Sequence, residues 1–213
     1  MLNRYARAFF TRVMTPIARM LLRLGVGPDT VTMVGTLGVV VSALVLFPRG
    51  DFFWGTVAVT AFIFSDMLDG TMARLADRVS KWGGFLDSTL DRFGDAAIFG
   101  GLAYYFGLAH NRPMFILSLV CLVSGAVTSY ARAKAESLGF ECAVGVVERS
   151  ERLVGSLVAT GLAGLGVPFV QAIALWALAI GSTATVVQRI VHVRKQALSV
   201  PSVPNLSARE AAE

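Results

Sequence analysis

From Leu153 to Gln188 the chain carries no charged side chain. Drawn as one helix at about 1.5 Å per residue, this stretch would overrun the roughly 30 Å hydrocarbon core of a bilayer by more than about 20 Å. It is therefore read as two spans, broken at "GLGVP", where Gly164, Gly166 and Pro168 all disfavour helix. Further apolar runs at 31–48, 52–74, 82–108 and 114–134 are separated by "PRGD", "ADRVSK" and "AHNRP", which carry turn or charge signals. At about 20 residues per span, six spans use most of the 213 residues and leave no room for a soluble domain. The expected fold class is an all-α integral membrane protein of six transmembrane helices. A chain 55% hydrophobic and 15% charged, with a mean hydropathy of +0.66, agrees.

Ahead of the first span, residues 3–24 place Phe9, Val13, Ile17, Met20, Leu21 and Leu24 at helical spacing and interleave arginines. This pattern predicts an N-terminal interfacial amphipathic helix rather than a cleavable leader, because the arginines interrupt any apolar core. "GVGPDT" ends it, and Asp29 or Thr30 can cap the helix that follows. The expected organisation is a juxtamembrane helix over 1–27, a six-span domain over 28–197 and a disordered tail over 198–213. Lysine and arginine concentrate on one side: the N-terminal arginines, Arg74, Arg78, Lys81, Arg132, Lys134, Arg149, Arg152, Arg189, Arg194 and Lys195, against Arg49 and Arg112 on the other. The positive-inside rule then puts both termini on the cytoplasmic side of the cell membrane. It also accounts for the net charge of +5 without nucleic acid. Cys121 and Cys142 lack metal-ligand spacing and read as structural thiols.

The second apolar run ends in an unusual way, in "SDMLDGTMAR". Asp66, Asp69, Gly70, Ala73 and Arg74 share one helical face, and Gly83, Asp87 and Asp91 share a face of the next helix. Two helices joined by a short loop are antiparallel neighbours, so the carboxylate faces can meet. Four carboxylates near a bilayer boundary are expensive and repel one another. A cation relieves both costs, and all-oxygen ligation suits Mg²⁺, Mn²⁺ or Ca²⁺. Two such ions form the clamp used in displacement at phosphorus. Gly70, Ala73 and Gly83 leave space for a ligand or for helix packing, and Arg74 can meet phosphate.

Asp66-x2-Asp69-Gly70-x2-Ala73-Arg74-x8-Gly83-x3-Asp87-x3-Asp91 resembles the signature of the CDP-alcohol phosphotransferases at every fixed position. In that family an acceptor hydroxyl attacks the β-phosphorus of a CDP-linked donor and releases CMP. The resemblance implies that Asp66, Asp69, Asp87 and Asp91 hold two Mg²⁺ ions, with Mn²⁺ as a substitute, and that Asp91 is also the general base. It further implies donor contacts at Asp29, Thr30, Val31 and Thr32 of "PDTVT", at Asp69, Gly70, Ala73 and Arg74, and at Ser80. A helix cap is an equal reading for the "PDTVT" group. Asp95 lies outside the signature; it can orient neighbouring groups, but a structural hydrogen bond is its expected role.

A second basic set, Ser129, Arg132, Lys134, Arg149, Arg152 and Arg189, falls at the cytoplasmic ends of the last three spans. Topology alone explains any one of them; several converging beside the metals suit a phosphorylated acceptor. The stretch "YARAKAESLGFECAVGVVERSERLV" is similar to actinobacterial synthases of phosphatidylinositol phosphate. That similarity implies CDP-diacylglycerol (CDP-DAG) as donor, inositol phosphate as acceptor with Ser129, Arg132, Lys134, Arg152 and Arg189 around its phosphate, and a homodimer in membrane lipid. The alternatives are glycerol 3-phosphate as acceptor, or a divalent-cation transporter. A carboxylate cluster at one membrane face without a continuing charged path argues against transport.

Overall fold

The computed structural model describes residues 14–76 and 80–199, the side chains of Asp66 and Met67 excepted. All regular structure among them is helical: α1 (14–23), α2 (Pro28–Leu46), a 3₁₀ turn (Phe47–Arg49), α3 (Phe52–Ile63), α4 (Ser65–Leu75), α5 (Lys81–Leu108), α6 (Arg112–Ser137), α7 (Arg149–Gly164) and α8 (Val170–Ser199). Residues 1–13 of the expected juxtamembrane helix, and the tail beyond Ser199, lie outside the described residues. α8 runs two residues past the expected domain boundary.

Four segments are long and apolar enough to cross a membrane: Pro28–Arg49, Phe52–Leu75, Arg112–Ser137 and Val170–Ser199. The second joins α3 and α4 through Phe64, whose backbone remains helical at φ −64°, ψ −18°. The break at 165–169 falls where the sequence places it, with Gly166 at φ +86°, a conformation that glycine adopts without strain. The other two expected spans differ from these four. α5 carries Asp87, Asp91, Arg92 and Asp95 between its N-terminus and its middle, and α7 has 16 residues, about 24 Å at helical rise.

α5 is central, packing on α2 and α6; α2 also packs on α3 and α4, while α7 and α8 close the bundle against α3 and α6. The core runs through Val39, Ala43, Phe47, Ile98, Phe99, Leu102, Leu153, Leu157 and Leu175. Small residues set the closest approaches, as in other membrane bundles. A Cβ at Gly101 would stand 2.6 Å from the Ala43 carbonyl oxygen, and one at Gly164 2.3 Å from the Phe53 nitrogen. An aromatic group of Phe47, Phe52, Tyr105 and Phe106 closes the end of α5 farthest from the aspartates.

α4 and α5 do not seal their carboxylate faces against each other. Each packs on α2, and the space left between them is a cleft.

Candidate active site

The first cleft, of about 230 Å³, is lined from three helices: Pro28, Asp29 and Thr32 of α2; Asp69, Gly70 and Ala73 of α4; and Gly83, Gly84 and Asp87 of α5 with Ser80 before it. The N-cap of α2 is Gly27, with Pro28 in the first turn and no side-chain cap bond. Asp29 and Thr30 are thus not spent on capping α2. Asp29 projects toward the cleft near Gly83, while Thr32 Oγ1 donates to Asp69 Oδ2. Ser80 caps α5, its Oγ accepting from the Gly83 nitrogen at 3.0 Å. A Cβ built on Gly70 or Gly84 would meet nothing within 4 Å, so these glycines keep the cleft open rather than allow helices to touch.

Thr30 and Val31 fall elsewhere. With Leu21, Val26, Val34, Gly35, Phe62 and Ser65 they line an apolar groove of about 290 Å³ on the other side of α2. Arg74 is exposed and donates to Thr71 Oγ1 at 3.3 Å.

The second cleft, of about 580 Å³, lies between α5 and α6 and is lined by Ser88, Asp91, Arg92, Ser129, Tyr130, Arg132 and Glu136, among others. Asp87 therefore faces one cleft and Asp91, one turn along α5, faces the other. The expected acceptor set divides here. Ser129 accepts from Arg92 Nη1, and Arg132 is exposed and pairs with Glu136 at 2.8 Å. Lys134 is exposed. Arg152 is 1% exposed and donates through Nη2 to Asp95 Oδ2 at 3.1 Å, its guanidinium lying over Gly125. Arg189 is buried too, and it donates to the carbonyls of Val144 at 2.8 Å and Thr128 at 2.6 Å. Its guanidinium bolts the α6–α7 connection to α8, as do Thr185 and Gln196.

Two cations stand nearer Asp91 than most of that set. Arg149 Nη2 is 2.8 Å from Asp91 Oδ1, and Arg92 Nη2 is 3.7 Å from Oδ2. Nothing in the sequence singles out Arg92, which follows the signature directly; only the choice of helix partner brings it to the cleft. Asp95 is buried and accepts from both Arg149 and Arg152, consistent with the structural hydrogen bond expected of it.

The donor set suits a hard cation, since Asp29, Asp69 and Asp87 offer only carboxylate oxygen around one polar cleft with open backbone at Gly70. No three described His, Cys, Asp or Glu side chains converge tightly enough to hold an ion by themselves; the Asp66 side chain lies outside the described residues.

This chain belongs to the CDP-alcohol phosphatidyltransferase family, whose profile matches residues 26–188. Within it, the chain is similar to curated proteins named phosphatidylinositol phosphate synthase. It is 58% identical to that of Streptomyces avermitilis over 92% of this chain and 84% of the relative. It is 52% identical to that of Cutibacterium acnes over 89% and 96%. The crystal structure of the Mycobacterium tuberculosis phosphatidylinositol phosphate synthase with CDP-DAG bound superposes with a TM-score of 0.84 at 40% identity, covering 91% of this chain and 98% of that one. The same enzyme in complex with manganese and citrate gives 0.83, also at 40% identity, over 90% and 92%.

Proposed function

We propose that this protein is a phosphatidylinositol phosphate synthase, transferring the phosphatidyl group of CDP-DAG to inositol phosphate with release of CMP. The observation that carries this reading is that Asp87 and Asp91, one turn apart on α5, open onto two different clefts, the first lined by signature residues and the second by Arg92, Ser129 and Arg132. The names of the relatives and the CDP-DAG complex support the same donor and product.

Asp29, Thr32, Asp69, Gly70, Ala73, Ser80 and Arg74 bind the nucleotide and diphosphate, and the apolar groove past Thr30 and Val31 takes an acyl chain. Asp66, Asp69, Asp87 and Asp91 hold the divalent cation, two Mg²⁺ or Mn²⁺ ions in our reading; the manganese complex of the M. tuberculosis enzyme supports the metal class. Such an ion neutralises diphosphate charge during displacement. Asp91 takes the proton from the acceptor hydroxyl as that oxygen bonds the β-phosphorus. The bond from β-phosphorus to its bridging oxygen breaks, and CMP leaves. The acceptor phosphate sits among Ser129, Arg132 and Lys134. Arg152 and Arg189 stay in the acceptor assignment as the buried frame behind this cleft.

α5 and α7 complete six spans with both termini cytoplasmic, because the Lys and Arg residues flanking the aspartates then obey the positive-inside rule. We propose a homodimer in the cell membrane. The deciding experiment is CMP release by the purified chain from CDP-DAG and Mg²⁺, compared across inositol phosphate, glycerol 3-phosphate, inositol and serine. Inositol phosphate should be preferred; equal or greater release with glycerol 3-phosphate would replace the acceptor, and preference for free inositol would overturn the anionic acceptor.

A further inference from the structure

We propose that Asp95 is a positioning residue for the transfer reaction: it holds Arg149 against Asp91, one turn earlier on α5. This rests on the reading of Asp91 as the base.

A buried carboxylate is costly unless cations and hydrogen bonds satisfy it. Asp95 is 7% exposed and draws its partners from one turn of α7, Arg149 Nε at 3.2 Å and Arg152 Nη2 at 3.1 Å. The two arginines differ in where the rest of each side chain goes. Arg152 is enclosed and lies over Gly125. Arg149 is about one-third exposed and extends its neighbouring nitrogen to Asp91, with Nη2 2.8 Å from Oδ1.

The guanidinium is a rigid planar fork, so fixing Nε on Asp95 fixes where Nη2 points. The start of α7 leaves little slack, because Glu148 and Glu151 form a reciprocal capping box around Arg149. A part-exposed ion pair to Asp91 alone would hold the side chain weakly. Asp95 supplies the second, buried attachment. Arg92 also reaches this group, 4.0 Å from Asp95 and 3.7 Å from Asp91, but its Nη1 is engaged by Ser129 on α6. Arg149 is thus the cation that Asp95 aims at the base.

The test is a double-mutant cycle read as CMP release from CDP-DAG by the purified full chain. Asp95→Asn keeps the shape and removes the charge. We expect its kcat/KM for the acceptor to fall about tenfold to a hundredfold, the worth of a charge-assisted hydrogen bond, with the KM for CDP-DAG within about twofold of wild type. In an Arg149→Gln background the same change should cost less than about threefold, because its target is already gone. Multiplicative losses in Asp95→Asn/Arg149→Gln would overturn the proposal, as would non-additivity with Arg152→Gln but not with Arg149→Gln, the pattern of a packing role. Asp95→Glu keeps the charge and repeats the cycle where Asp95→Asn does not purify; a loss in Asp95→Glu that Arg149→Gln leaves unchanged counts against it equally. A wild type that rejects inositol phosphate but uses glycerol 3-phosphate overturns only the acceptor, and the cycle then runs with glycerol 3-phosphate. A wild type that releases CMP with neither overturns both.

Discussion

Thr32 and Asp69, on different helices, are joined by a hydrogen bond from the threonine hydroxyl to the carboxylate Oδ2, and both are buried. That bond orients a signature carboxylate from α2, outside the signature itself. Thr32→Val keeps the shape and removes the donor. The KM for CDP-DAG should rise about tenfold to a hundredfold with a smaller change in kcat, the effect of losing one hydrogen bond to a charged group. Titration of CDP-DAG against CMP release measures it; an unchanged KM would show that Asp69 is held by other contacts.

Metal removal should stop the reaction. With excess chelator CMP release should fall to background and return on adding Mg²⁺ or Mn²⁺. Asp66→Asn, Asp69→Asn and Asp87→Asn should each lose about a hundredfold or more, since each takes a charged ligand from a shared site. Asp91→Asn should lose about 10²–10⁴ in turnover while donor binding survives better, because loss of a positioned base acts on the chemical step. Full turnover in chelator would sink the metal assignment.

Gly70 offers a test that separates folding from binding. A methyl group there meets no protein atom within 4 Å, and alanine is the better helix former by about 0.8–1.0 kcal/mol. Gly70→Ala should therefore melt no lower than wild type and yet bind CDP-DAG more weakly; Gly70→Val should bind it more weakly still. A thermal melt beside a donor titration gives both numbers. If both variants kept wild-type donor affinity, the nucleotide would have to lie away from α4.

Arg132 and Arg189 should fail differently. Arg132 is exposed at the second cleft, so Arg132→Gln should raise the acceptor KM with no change in Tm. Arg189 satisfies two carbonyls inside the bundle, and an unmade buried hydrogen bond costs about 1–3 kcal/mol. Arg189→Gln should lower Tm by several degrees before any effect on the acceptor is seen. A wild-type Tm with a selectively raised acceptor KM in Arg189→Gln would mean that its guanidinium turns from the carbonyls to the ligand.

Much of this arrangement is legible from one dimension. The face shared by Asp69, Gly70 and Ala73 is a property of any α-helix and follows from the sequence alone, whereas the opening of Asp87 and Asp91 onto different clefts depends on which helices pack beside α5. The break near Pro168 follows as directly, from chain length against bilayer thickness. Arginine is harder to assign. Membrane orientation, burial against a carboxylate and phosphate binding all select it, and Arg132, Arg152 and Arg189 look equivalent in the sequence. Arg132 has its partner Glu136 one turn on along α6, and only tertiary partners separate the other two: Asp95 for Arg152 and two carbonyls for Arg189. The role of α2 is hidden for a similar reason. "PDTVT" serves as a helix start in any case, and its division into a polar side with Asp29 and Thr32 and an apolar side with Thr30 and Val31 depends on what packs around it.

The guanidinium of Arg152 lies where a side chain on Gly125 would have to go: an added Cβ would come within 2.7 Å of Cζ. Asp95 on α5, Gly125 on α6 and Arg152 on α7 are therefore physically coupled. Any single replacement passes through a chain with an orphaned buried charge or an evicted arginine, so a divergent relative lacking one of the three should lack the others as well.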